Sequence, residues 1–215
     1  MNYIENIFIC IAAPLLVAAL CSNNRKNRRV IIQLLGGALS CLLSSYISTF
    51  LVGVYGSNTI MASVEITPAV EETMKLVPIL FSMLVFEPAK ETIANAIQMV
   101  AIGFATFENI CYLTQNGAER VFYLLIRGFG TGAMHVVCGA IVAVGLWFLW
   151  DYTWLRVAGT VGLLAFAITY HAVYNMLVSR TGMAVWIGYF IPLLTVILFV
   201  IFRGRGPALR SKAGL

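Results

Sequence analysis

The chain has 215 residues, of which 60% are hydrophobic and only 11% carry a formal charge. A soluble domain is about 25% charged, so a polar shell cannot be built from this composition, and its mean hydropathy of +0.90 agrees. Intrinsic disorder, a collagen-like repeat and a secreted disulfide scaffold are excluded by the same figures; what remains is a polytopic membrane protein, all-α because an isolated strand cannot satisfy its backbone in lipid.

A bilayer crossing takes roughly 20 apolar residues. In chain order the runs predict about seven transmembrane helices, at 6–22, 30–52, 68–86, 92–113, 121–150, 157–178 and 184–202. The connections are short and carry no linker composition, so residues 1–215 read as a single membrane-embedded domain. Glu5 and the basic cluster behind the first run argue against a cleaved signal peptide. Taking the loop Ser22–Arg29 as cytoplasmic collects Arg25, Lys26, Arg28, Arg29, Lys90, Arg156, Arg203, Arg205, Arg210 and Lys212 on one side, against Arg120 and Arg180 on the other. This positive-inside bias predicts an extracytoplasmic N-terminus and a cytoplasmic C-terminus in the plasma membrane. It also assigns the net charge of +5 to topology and lipid headgroups, so no nucleic-acid partner is expected. Trp147, Trp150 and Trp154 fall where an inner aromatic belt is expected and Trp186 where an outer one is. The five cysteines, Cys10, Cys21, Cys41, Cys111 and Cys138, lie in apolar runs without paired spacing and are expected to be buried free thiols.

The third to sixth runs contain side chains that lipid penalises: Glu71, Glu72 and Lys75, then Glu108, His135 and His171. A charge at the bilayer centre costs about 2.5–3.5 kcal/mol on the more lenient scale, so these groups are expected to face one another inside the bundle. At 1.5 Å of rise per residue all lie roughly 5–12 Å below the same, outer membrane face. The run 121–150 is too long for one straight crossing, and Gly128-Phe-Gly-Thr-Gly132 is expected to bend or unwind it. Lys75 stands i+4 from Glu71 and i+3 from Glu72, within reach of either. Asn175, one turn after His171, is placed to orient that imidazole. Asn109 and Arg127 stand beside the set, as supporting or simply structural residues.

Hydrolysis inside the membrane is one use of such a cluster. Asp151 is the only aspartate and sits in a loop, so an aspartyl dyad is impossible; H-E-x-x-H and G-x-S-x-G are also absent. Two mechanisms stay open. In one, Glu71 or Glu72 activates a water while His135 and His171 polarise the carbonyl. In the other, Glu108, His135 and His171 hold Zn²⁺ and one of the paired glutamates is the base. Plainer readings are a solvated acidic first turn for Glu71 and Glu72 and helix-gluing histidines.

Thr67-Pro-Ala-Val-Glu71-Glu72-Thr-Met-Lys75 resembles the E-E-x-x-K motif of the PrsW family of membrane proteases. Gly103-Phe-Ala-Thr-Phe-Glu108-Asn109, His135 within Gly132–Gly139, and His171-Ala-Val-Tyr-Asn175 are similar to that family's later motifs, in order on successive runs. The related CAAX-processing clan usually has histidine in place of Glu108. The resemblance implies an intramembrane endopeptidase, with Glu71, Glu72, Glu108, His135 and His171 as its site and Lys75, Asn175, Asn109 and Arg127 in support. It further implies a membrane-anchored protein substrate, such as an anti-sigma factor, cut on the extracytoplasmic side. The same clan contains a catalytically silent scaffold subunit, which is the rival reading; a proton-coupled transporter, using the acids as a relay, ranks behind both.

Overall fold

The computed structural model describes residues 4–86, 89–117, 121–149 and 152–212, and the side chains of all of these except Phe86, Lys90, Asn116, Val144, Trp147 and 202–212. Among the described residues there is no strand. The helices are α1 (Ile4–Cys21), α2 (Arg25–Tyr55), a single turn α3 (Thr59–Met61), a five-residue π-helical segment (Ala62–Ile66), α4 (Thr67–Phe86), α5 (Lys90–Asn116), α6 (Val121–Leu149), α7 (Thr153–Val178) and α8 (Met183–Lys212).

Six of these helices are long and apolar enough to cross a bilayer; α4 falls outside that set because it carries Glu71, Glu72 and Lys75. Its neighbours nevertheless make it a crossing. Along α2, Gly37 meets Val100 and Phe104 of α5, while Ser44 and Ser45 share a cavity wall with Cys111, Tyr112 and Gln115. Residue numbers rise together, so α2 and α5 run parallel. The same method sets α4 antiparallel to α2: Gly36 lies against Pro78, and Cys41 and Ser44 are level with Glu71. The chain between two parallel helices must return through the membrane once, and α4 makes that return. The face of α4 that carries Glu72 and Lys75 is thereby buried against its neighbours α2, α5 and α7, while Val77, Leu80, Phe81, Leu84 and Val85 lie on its exposed face.

Several sequence expectations are corrected. The basic cluster is not a loop: Asn24 caps α2 by accepting from the backbone N–H of Lys26 at 2.9 Å, so Arg25 to Arg29 form its first turns. Gly128–Gly132 does not unwind α6, which is helical from Val121 to Leu149. Gly130 instead admits Tyr189 of α8, whose ring lies 2.7 Å from where a Cβ would stand. Among the cysteines Cys41 and Cys138 are buried, but Cys10 and Cys21 are exposed on the outer face of α1 and Cys111 is half-buried. All five are free thiols, as expected. Trp150 and Asp151 lie outside the described residues, as does the side chain of Trp147; Trp154 and Trp186 are exposed.

The closest helix approach is between α2 and α5. A Cβ on Gly37 would stand 2.1 Å from the carbonyl oxygen of Val100, and one on Gly103 would stand 2.0 Å from that of Leu34. These obstacles are backbone and cannot rotate away, which is the reason small residues serve at helix contacts within membranes. Gly37→Ala and Gly103→Ala are each expected to destabilise the bundle by about 1–3 kcal/mol, the cost of overpacking a close contact. Thermal unfolding in detergent reads this out, with Gly53→Ala, which meets nothing within 4 Å, as the neutral control.

Candidate active site

Four helices contribute the polar cluster. Glu71, Glu72 and Lys75 come from the first half of α4, Glu108 from α5, His135 from the middle of α6 and His171 from α7. Positions 71 and 72 are about 100° apart on a helix, and the two acids diverge accordingly. Glu72 turns into the core and is 4% exposed, whereas Glu71 lines a cavity of about 200 Å³ together with Glu108 and Arg127.

Glu72 is the hub. Its Oε1 accepts from the Lys75 ammonium at 2.6 Å and from His171 Nδ1–H at 2.7 Å. Lys75 also donates to His135 Nδ1 at 2.7 Å and lies 4.6 Å above the Phe104 ring. An ammonium has no acceptor, so His135 Nδ1 must accept and the ring proton is assigned to Nε2, which donates to Glu108 Oε2 at 2.6 Å. The same logic puts the proton of His171 on Nδ1 and leaves the lone pair of Nε2 facing Glu71 Oε2, 3.7 Å away. The two imidazoles stand edge to face with centroids 5.1 Å apart. Both are buried.

A second tier holds Glu108. Arg127 places Nη2 3.5 Å from Glu108 Oε1 and donates from Nη1 to Asn109 Oδ1 at 2.7 Å. Its guanidinium stacks 3.4 Å over Tyr112, one helical turn beyond Glu108. Thr131 and Tyr174 share a buried hydroxyl bond of 2.7 Å beside the two histidines, one turn before His135 and three residues after His171.

The residues singled out in the sequence therefore converge, apart from one contact. Asn175 does not orient His171: its Nδ2 donates to the carbonyl of Ser63 at 2.8 Å, in the π-helical segment, where the backbone pattern is interrupted. Glu72 orients that imidazole instead, from a different helix, which local spacing cannot reveal. Tyr112, Thr131 and Tyr174 were not singled out. Their signal is helical phase, since each lies three or four residues from Glu108, His135 or His171.

A buried carboxylate and imidazole centre beside a cavity is an arrangement that suits a membrane-embedded hydrolase, and the family comparison gives that class. Residues 26–203, most of the chain, match the PrsW family of intramembrane metalloproteases. The chain belongs to this family, and it is a multi-pass intramembrane protease. No solved structure matches it significantly.

The family's name implies a metal, and the donors here fit one. Glu71, His135 and His171 each offer an atom, and these atoms lie within 4.8 Å of one another. Two histidines and one carboxylate form a common catalytic zinc set. The set differs from the one expected from sequence by having Glu71 in place of Glu108. Glu108 instead bonds the ring of His135, as Glu72 bonds the ring of His171, which matches the carboxylate–histidine pairing that supports metal ligands. The Lys75 ammonium bonds His135 Nδ1, and its flexible stem would have to move aside for that nitrogen to serve a metal.

The two adjacent acids are expected to separate by assay. Glu72→Ala leaves the Lys75 ammonium, 7% exposed, without its anion, at a cost of about 3–5 kcal/mol. Glu71→Gln leaves that pair intact and is expected to keep near wild-type thermal stability. Equal unfolding temperatures for the two variants contradict the role of Glu72 as hub.

Proposed function

We propose that the protein hydrolyses a peptide bond of a membrane-anchored regulatory protein near the extracytoplasmic face of the plasma membrane, with Glu71 as the group that activates water. An anti-sigma factor is the class of substrate the family resemblance suggests. The basic residues Arg25, Lys26, Arg28 and Arg29 at the start of α2, at the end of the bundle remote from Glu71 and Glu108, support that side of the membrane through the positive-inside rule.

The observation that carries the role of Glu71 is the 3.7 Å gap between its Oε2 and His171 Nε2. It is too wide for a direct hydrogen bond and suits one bridging oxygen or ion in contact with both. Glu71 faces the cavity, so it takes the proton of the attacking water and returns it to the leaving amine. His171 is held by Glu72 with Nε2 free to accept from the same water. Arg127, on the cavity wall, supplies donors where negative charge develops on the carbonyl oxygen. Lys75 keeps Glu72 ionised as the acceptor that fixes His171 in this orientation. Zinc held by Glu71, His135 and His171 would supply a Lewis acid that polarises the carbonyl and acidifies water, and Glu71 would then serve as its ligand rather than as the free base.

Purified protein in detergent, incubated with a single-span substrate bearing an extracytoplasmic stub, is expected to lose about 10²–10⁴ of its cleavage rate on Glu71→Gln. Substrate binding should be little changed. Wild-type cleavage by that variant removes the assignment. Elemental analysis of the purified protein tests the metal: Glu108→Gln, which loosens His135, is expected to weaken zinc affinity by about 10–100-fold. Full activity in zinc-free wild type overturns the metal while leaving Glu71 in place.

A further inference from the structure

One wall of the catalytic cavity is supplied by a helix that is barely attached. Ile4, at the start of α1, lines the cavity together with Glu71, Glu108 and Arg127. Yet α1 buries only Ala12 and Ala19 among its described residues, and Ile9, Leu16, Val17 and Leu20 are at least half exposed. It also lies ahead of the segment, 26–203, that matches the protease family.

Its seat is well formed. Ala38, Cys41 and Leu42 of α2 and Phe104 and Phe107 of α5 make a buried apolar cluster, and Ile4, Ile7, Phe8 and Ile11 pack against it. The spacing i, i+3, i+4, i+7 is one face of a helix. Phe8 meets Phe107 edge to face at 5.7 Å. Phe104, in the same cluster, lies 5.0 Å from the His135 ring and under the Lys75 ammonium. A single side-chain latch, Tyr46 to Glu5, closes the end of α1 that borders the cavity.

We infer that the groove between α2 and α5 is the docking site for the substrate's transmembrane helix, and that α1 occupies it as a displaceable stand-in. The inference rests on the catalytic cavity assigned above. What argues for a single apolar helix, rather than a lipid chain or a second copy, is that such a helix is already seated there with its end at the reacting groups. A hydrolase buried in a bundle must also admit a span from the lipid side, and the least attached wall of its cavity is the route that disrupts least packing. The substrate face that fits carries bulky apolar residues at i, i+3, i+4 and i+7, ending beside the scissile segment. While α1 is seated, access is reduced by the fraction of time the groove is covered.

The test uses the full chain in lipid nanodiscs, with Cys10, Cys21 and Cys111 replaced by alanine and with Glu5→Cys and Tyr46→Cys joined by a reducible bis-maleimide. Leu42 is replaced by a photoreactive benzophenone residue and Glu71 by glutamine, so capture is read without cleavage. The probe is a synthetic peptide of the α1 sequence with its cysteines changed to alanine, competed by the single-span substrate. Photocapture is expected to rise by at least about tenfold when the linker is reduced. It should fall when the peptide's counterparts of Ile4, Ile7, Phe8 and Ile11 become alanine, and fall again when substrate is added. Equal capture in linked and reduced protein, or capture that substrate does not displace, overturns the docking site. With Glu71 retained, the linked form is expected to cleave at no more than about a tenth of the reduced rate. Equal cleavage in both forms sinks the inference and spares the protease assignment. Substrate-displaced capture without cleavage in either form sinks the catalytic assignment and leaves the docking site standing.

Discussion

The structure depends on one carboxylate. Glu72 receives an ammonium and an imidazole on a single oxygen, inside a protein that has lipid on its outside. No water is at hand to solvate an ammonium or a carboxylate buried at this depth, so the pair is tolerable only when each member satisfies the other and further hydrogen bonds take up the rest. That requirement turns one face of α4 into the bundle and fixes which neighbours that face may have. The helix that hydropathy alone rejects as a span supplies the carboxylate and the ammonium that tie α7 and α6 to it. Stability gains little from such a pair, since the desolvation cost offsets most of the Coulombic gain. What the network secures is geometry: His171 and His135 are each gripped at one or both ring nitrogens, so their orientations follow from Glu72, Lys75 and Glu108 without any flexible loop.

The surrounding packing serves the same end. Gly37 and Gly103 bring α2 and α5 into backbone contact, which places the parallel pair close enough for α4 to touch both. Phe104 then fills the space between the glycine contact and the site, lying against His135 and Lys75. A fully buried aromatic at that point excludes water from one side of the imidazoles while the cavity of Glu71, Glu108 and Arg127 opens on the other. Glu71 and Glu108 are the carboxylates on that cavity, and Glu71 is the one that also lies next to His171. The division of labour between adjacent glutamates is a consequence of helical phase: one residue of offset separates a structural anion from one that meets the solvent.

Much of this was legible in the sequence, and the parts that were not share a cause. The spans follow from apolar runs, and the membership of the cluster follows from the cost of charge in lipid, because both are local or additive properties. That Glu71, Glu72, Lys75, Glu108, His135 and His171 meet follows from depth, which alternating helices preserve. Partner choice was not legible. Whether Lys75 pairs with Glu71 or Glu72 turns on which acid points inward, and that is set by Pro78 resting on Gly36 and by the neighbours of α4. Asn175 looked like a partner for His171 because it lies one turn away on the same helix, yet a carbonyl in the π-helical segment claims its amide. The extra residue in that segment has no signature in Ala62–Ile66 that periodicity could detect. The glycine run of α6 follows a related rule: glycines permit unwinding, but they equally permit Tyr189 to approach Gly130, and only the neighbour shows which use is made.

The contrast between α1 and the rest of the bundle follows from the same physics. The other long helices are bound together by glycine contacts, the buried polar network or several packed faces each. Among the described residues α1 is attached through one apolar stripe, which includes the Phe8–Phe107 ring contact, and the Tyr46–Glu5 latch, and between transmembrane helices apolar contact is weak glue because lipid offers nearly the same environment. Removing α1 from its seat therefore exchanges protein contact for lipid contact at small net cost, whereas removing α4 or α7 exposes charge or unpaired imidazole. A protease that must open to a substrate without losing its catalytic geometry is best opened at a helix that contributes no member of the Glu72 network. Of α1, α2 and α8, which meet that condition, α1 both lines the cavity and buries only Ala12 and Ala19 among its described residues.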